Sequence, residues 1–516
     1  MSSKKEMKKL GISRSTRMVG IKERSENPSI NAFGKIIRFL GVEQEVTRSA
    51  CVIGSGPNGL AAAIVLAEAG IRVEVLEAAA VPGGAARTMD LTLPGFLHDF
   101  GSAVHPLGIG SPFFSSLPLA QHGLDWLHSA APLAHPLDDG TAVILERDLK
   151  KARISLGSDG DTWTRMVQPF VDRWRDFVPE ILGPVIHIPK HPWLLARFGT
   201  QALHSAAGIV RRFRSERTRA LFAGLASHSF LSLTEPISGA FGLIMAVAAH
   251  AVGWPIPRGG SQALTNALIG HLSALGGRIR TLTPVESIPT NAEYDLFLCD
   301  ITPRQLLAIA GKRLSPSYKQ HLANYRYGPG AFKVDYALSD PIPWKAPECS
   351  RAATVHLGGT IDEIAASEEE VRAGRHSNRP FVILVQPTLF DGSRAPAGRH
   401  TAWAYCHVPN GSKLDVLTRL EDQVERFAPG FRECILARRV FAPSDLECMD
   451  ANLVGGDVQG GAFEFRQFLF RPTWRGYSTS DKNIYICSAS TPPGGGVHGM
   501  CGFHAARLAV SRLGLT

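Results

Sequence analysis

A run of Gly54-Ser55-Gly56-Pro57-Asn58-Gly59 gives this 516-residue chain a place where backbone N–H groups can face an anion. Gly54 permits a tight turn, Gly56 lets backbone approach a pyrophosphate, and Gly59 lets a following helix pack closely on a sheet. Pro57 and Asn58 complete the motif, and the helix N-terminus beyond it faces the phosphate charge. Glu77 stands eighteen residues after Gly59, where a carboxylate can accept hydrogen bonds from ribose hydroxyls and disfavours a ribose bearing a 2′-phosphate. The chemistry these spacings point to is the holding of a dinucleotide. A glycine turn in an α/β unit that holds nothing is the plainer alternative.

Two further clusters carry related signals. Pro82-Gly83-Gly84 with Arg87-Thr88 suggests a second close passage of backbone along a cofactor, or a surface turn. Pro492 to Gly499, rich in glycine and placed before the last helix, offers another set of N–H groups for a polar ligand, or a flexible terminal loop. The candidate polar side chains for chemistry are His98, Asp99, His105 and His498, each in a Gly- or Pro-rich loop beside a motif. A structural histidine hydrogen-bonded to backbone competes with a catalytic one at each position. His498 is preferred because it lies inside the last glycine loop. No nucleophile–base motif is recognisable. The eight cysteines show no CxxC pair and no zinc-ligand spacing, so no metal site is expected.

These residues need elements to hold them. Ala50 to Ile53 reads as a buried parallel strand, Leu60 to Ala69 as a helix stopped by Gly70, and Ile71 to Leu76 as the next strand. Residues 110–250 read as largely helical. A helix is expected from Gln262 to Leu275, with strands at Arg278–Thr281 and Tyr294–Cys299. Strand-like alternation marks Phe332–Leu338, Pro380–Gln386 and Thr401–His407, and helical spacing marks Leu414–Phe427. A strand at Ile484–Cys487, a loop over Thr491–Gly502 and a helix over Phe503–Leu513 close the chain.

The formal charge of +9 does not imply nucleic acid. Residues 1–48 hold eleven Lys or Arg against five Glu, and the rest of the chain is close to neutral. That stretch reads as a flexible basic extension with no secretory signal, in which Met18 is an alternative start. Reduced thiols and a cytoplasmic setting are expected. From Pro236 to Pro257 no charged residue interrupts the apolar run. A helix lining an apolar cavity is the first reading, shallow membrane contact the second and a membrane span the third.

The motifs VIGSGPNGLAAAIVLAEAG, LEAAAVPGGAART, PGFLHDFGSAVHPLG, GWPIPRGGSQAL and CSASTPPGGGVHGMCGFHAA, taken in order, resemble the FAD-dependent phytoene desaturase-like oxidoreductases over nearly all of residues 49–512. The resemblance implies an α/β, two-lobed flavoprotein with a Rossmann-like FAD-binding domain and an inserted α+β substrate domain. FAD-binding segments are then expected at 49–110, 256–327 and 451–516, a mostly helical substrate or cap region at 111–255, and a substrate-domain sheet and helix at 328–450. By the same resemblance Gly54, Gly56 and Gly59 meet the pyrophosphate, Glu77 the adenosine ribose, and Gly83, Gly84, Arg87 and Thr88 the cofactor's length. Val285 meets the adenine side through its backbone, and Gly496, Val497, His498, Gly499 and Met500 border the isoalloxazine and ribityl chain. Val81 and Ala85 replace flanking arginines common in the wider fold, and Ser488-Ala489 replaces a common Gly-Asp. The implied activity is hydride transfer from a lipophilic, isoprenoid- or lipid-like substrate to flavin N5 in a desaturation or isomerisation. Oxygen or a quinone is the expected electron acceptor, and peripheral membrane contact is allowed. A flavin amine oxidase and a non-catalytic isoprenoid or prenyl-protein carrier are the alternatives.

Overall fold

The computed structural model describes residues 48–291 and 293–515. The basic extension expected over 1–48 lies, but for Arg48, outside the described residues. Five strands form one parallel sheet in the order Ile484–Ile486, Leu296–Cys299, Ser49–Ile53, Arg72–Leu76, Arg278–Arg280. Ser49–Ile53 is buried throughout, as a central strand covered on both faces must be. Ala50 and Val52 pack toward the Pro57–Glu68, Gln262–Ala274 and Met500–Arg512 helices. Cys51 and Ile53 pack the opposite way, toward Leu306, Ala310, Tyr318 and Leu322 of the Pro303–Ala310 and Pro316–Ala323 helices.

The seven-stranded sheet runs Ile435–Phe441, Gly330–Leu338, His400–Val408, Val382–Val385, Ala352–Leu357, Ala131–Pro136, Ala142–Leu145. Its pairs are antiparallel except that of Ala352–Leu357 with Ala131–Pro136. One face is apolar, with Val334, Tyr336, Ala404 and Val355 packed on Leu420, Val424 and Phe427 of the Leu417–Phe427 helix. The other face turns toward a helical layer that includes Glu216–Ser227 and Ser238–Ala251.

Three expectations change. Two strands of the larger sheet come from 131–145, inside the stretch read as largely helical. Pro132 and Pro136 argue against a strand locally, and the pairing that makes one comes from a distant part of the chain. For the uncharged run near 236–257 it is the third reading, a span, that gives way, while the helix of the first reading is present as the 14-residue Ser238–Ala251, packed among Phe222, Ala226 and Ile209. Among the described residues no helix is long and apolar enough to cross a membrane. The last helix begins at Met500, not Phe503, because Gly499 supplies the left-handed turn (φ 70°) that starts it.

That helix lies against Pro57–Glu68 at a separation only glycine allows. A Cβ added to Gly502 would meet the Asn58 carbonyl oxygen at 1.8 Å. Gly502→Ala is therefore expected to lower unfolding stability by about 1–3 kcal/mol, read by chemical denaturation. Gly392→Ala, with open space around its Cβ, should stay within about 0.5 kcal/mol of the parent.

Candidate functional site

Each strand of a parallel sheet delivers its next residues to the same edge, so loops from far-apart stretches meet there. Past Ile53 comes the Gly54–Gly59 turn, past Leu76 comes Glu77, past Cys299 comes Asp300, and past Ile486 comes the loop that ends at Gly499. Asp300 ties them together. Its backbone N–H donates to the Ile53 carbonyl at 2.8 Å, and its Oδ2 accepts the Gly59 N–H at 2.8 Å. The Cys487 N–H donates to the Cys299 carbonyl at 2.9 Å.

Glu77 accepts the Ser55 N–H at 2.9 Å and the Ser55 hydroxyl at 2.5 Å. The Gly83 N–H donates to that hydroxyl at 3.2 Å, so the second glycine cluster folds onto the first. A Cβ on Gly84 would lie 3.0 Å from the Gly56 Cα, and one on Gly56 2.8 Å from Asp300 Oδ2. Arg87 is buried and committed to backbone: its Nε donates to Gly84 O at 2.6 Å and its Nη2 to Met449 O at 3.0 Å. The Thr88 hydroxyl donates to Asp99 at 2.7 Å. Val285 packs against the Cys51 and Ile53 side of the parallel sheet.

At the last loop the Val497 carbonyl lies beside Gly108, and the Ser111 hydroxyl donates to His498 O at 2.7 Å. His498 Nδ1 accepts the Met500 N–H at 3.0 Å, and its Nε2 has no partner. Burial pushes this ring down to about 4, so it is neutral near pH 7. Gly496 carries φ 124°.

The other candidates go elsewhere. Asp99 is fully buried against Arg394 at 2.8 Å; burial alone would raise its pKa, but Arg394, the Ser261 N–H and Thr88 hold it low. His105 meets Ser261 at 2.8 Å, and His98 lies between Thr92 (2.8 Å) and Asp335 (3.6 Å). Burial, with the cations Lys333 and Arg394, drives His98 to about 3, and burial drives His105 to about 4. Asp99 and His98 thus tie the Thr88–Asp99 hairpin to Ser261, Arg394 and Asp335, while His105 is held by Ser261.

Two groups at this edge had escaped notice. Asp300 had a signal, an acid directly after the apolar run Phe297-Leu298-Cys299. Arg471 had none: it is 1% exposed and donates to Ala489 O at 3.0 Å and Gly460 O at 3.1 Å, leaving Nε and Nη1 unpartnered. These residues fit a dinucleotide. Turn and helix N–H groups suit a pyrophosphate, the glycine approaches leave no room for side chains, and unpartnered polar atoms of Asn58, His498 and Arg471 await a polar partner. Among the described residues no cluster of three or more His, Cys, Asp or Glu could hold a metal.

Fold and site together define a class: a dinucleotide-binding oxidoreductase. The NAD(P)-binding Rossmann-like domain family matches residues 52–114. The chain is 25% identical to the pyridine nucleotide-disulfide oxidoreductase domain-containing protein 2 of Rattus norvegicus, over 89% of this chain and 92% of that protein. It is also 25% identical to a lycopene-forming phytoene desaturase of Pseudescherichia vulneris, over 87% of this chain and 96% of that one. Among solved structures, an oxidoreductase of Methanosarcina mazei matches with TM-score 0.63 at 17% identity, covering 89% of this chain and 100% of its own. Putrescine oxidase bound to putrescine matches at 0.57 and 16% identity, covering 90% and 99%. Along most of its length the chain is thus similar to oxidoreductases, phytoene desaturases among them.

Burial, with Asp450 and Glu77 nearby, pushes the Asp300 carboxyl up to about 7 against the Gly59 N–H, which favours its charge. An acid with a higher pKa folded than unfolded keeps its proton in the folded protein where the unfolded chain has lost it, so stability falls as pH rises from about 4 to about 7. Asp300→Asn keeps an acceptor for Gly59 and removes the charge. Its gain in melting temperature over the parent should be larger at pH 8 than at pH 5; a gain independent of pH would contradict the assignment.

Proposed function

We propose that the protein is an FAD-dependent oxidoreductase that takes hydride from a lipophilic substrate in a desaturation or isomerisation. The observation that carries this reading is the meeting of Gly54–Gly59, Glu77 and the Gly494–Gly499 loop at one sheet edge. Similarity to a phytoene desaturase along most of both chains supports the substrate class. When bound, FAD supplies a hydride acceptor at N5. Gly54, Gly56, Pro57, Asn58 and Gly59 would hold its pyrophosphate, and Glu77 its adenosine ribose, exchanging the Ser55 hydroxyl for ribose hydroxyls. Gly83, Gly84, Arg87 and Thr88 would line its length and Val285 its adenine side. Gly496, Val497, His498, Gly499 and Met500 would border the flavin end, with Arg471 behind them.

The strands of the parallel sheet fall in 49–110, 256–327 and 451–516, and those of the seven-stranded sheet in 111–255 and 328–450. We assign the first set to the FAD lobe and the second to the substrate lobe. Oxygen or a quinone is the proposed electron acceptor. Peripheral membrane contact is proposed at Ile188 and Trp193, which are 93% and 87% exposed. An amine oxidase is the second reading, supported by stacked Trp403 and Tyr405, 5.6 Å apart on the inner sheet face.

The purified full chain should be yellow, with about one FAD per chain. Anaerobic addition of isoprenoids and lipids should bleach it, whereas bleaching by amines alone would favour the second reading. Colourless protein that stays so with added FAD would sink both. Gly84→Val, which drives a side chain into Gly56, should lose flavin at unchanged circular dichroism. His498→Ala should lower flavin retention or its reduction rate, and unchanged values for both would remove His498 from the site.

A further inference from the structure

The inner face of the seven-stranded sheet is polar where a core face is ordinarily apolar. In register across successive strands it carries His356, Ile383, Tyr405 and Lys333 in one row, and Thr354, Val385, Trp403 and Asp335 in the next, so polar groups flank a single apolar residue in each. His407 continues the face beyond Tyr405 and pairs with the small residue Ala331. Its ring is fixed from two sides. Glu368, from the Ile361–Arg372 helix, takes Nδ1 at 2.8 Å, and the Phe230 ring lies over the imidazole with centroids 3.7 Å apart. Phe230 is held there at φ 59°, in the left-handed region that a bulky side chain enters only at a cost.

A carboxylate only accepts, so Nδ1 carries the ring proton. In the neutral imidazole that leaves a lone pair on Nε2, which has no partner although the side chain is 1% exposed. This is the arrangement of an oriented acceptor without its donor. It also lies near the cofactor edge. The segment that lays Phe230 on His407 begins at His228, whose carbonyl accepts the Gln459 amide at 2.9 Å, and Gln459 packs against Gly495. On the other side Ala103 and Val104 cover Trp403 and Tyr405, and the helix just beyond them touches Val497.

We infer that the lipophilic substrate carries a hydroxyl group, which donates its hydrogen bond to Nε2 of His407, with Glu368 as the positioning residue. A bare hydrocarbon would leave the lone pair buried and unsatisfied. The inference rests on the flavin reading above and narrows its substrate class.

The test compares octan-1-ol with methyl octyl ether, which accepts but cannot donate, and with octylamine, on the full chain. Binding is read by tryptophan fluorescence, since Trp403 shares the face and Trp254 lies near His228. The alcohol should bind about tenfold more tightly than the ether. Glu368→Gln, whose amide can reverse the ring's tautomer, should bring that ratio toward one, whereas a merely structural role would weaken both probes alike. His407→Phe should abolish the ratio; if that variant fails to fold, the parent's ratio and that of Glu368→Gln still decide. Equal affinities, preference for the amine, or no binding by any probe would overturn the inference. Flavin absorbance of the same samples keeps the two readings apart: a yellow chain that does not discriminate fails this one alone.

Discussion

Parallel pairing around Ser49–Ile53 is the constraint on which the molecule depends. This strand bonds to Arg72–Leu76 on one side and to Leu296–Cys299 on the other, and the latter bonds in turn to Ile484–Ile486. A parallel ladder sends every strand out at the same edge. Once the register is set, the glycine turn, Glu77, Asp300 and the last glycine loop have no other place to go. The helices that cover the sheet then enforce the distances, because Gly59 and Gly502 admit a backbone where any side chain would collide.

The same edge concentrates charge that burial makes costly. Asp300 is buried and Asp450 half-buried, and burial raises the pKa of each. The bond from the Gly59 N–H to Asp300 keeps the turn in shape. Elsewhere the balance is struck by pairing: Asp99 with Arg394, and Lys333 with Asp335 on one strand, are opposite charges brought inside together.

The seven-stranded sheet uses its two faces differently. Alternation along each strand makes one face an apolar core over the Leu417–Phe427 helix and gives the other His356, Trp403, Tyr405 and His407. Buried polar rows of this kind are expensive unless something completes them. That separates this face from ordinary core.

How much was legible follows from how local each signal was. The strand–turn–helix–strand unit from Ser49 to Leu76 stood out because all its parts are contiguous, and the glycines and Glu77 came with it. The strand at Ala131–Pro136 did not, since its two prolines oppose it locally and only its distant partner makes it a strand. His407 and Glu368 read separately as a strand residue and a helix residue; nothing in their spacing says that one carboxylate meets one imidazole. By itself the sequence determined the dinucleotide-binding unit and the class of fold, because both depend on short-range turn geometry and hydrophobic period. Only the tertiary structure decided which acids, arginines and histidines face one another, because those contacts follow from strand order and register, which no local pattern encodes.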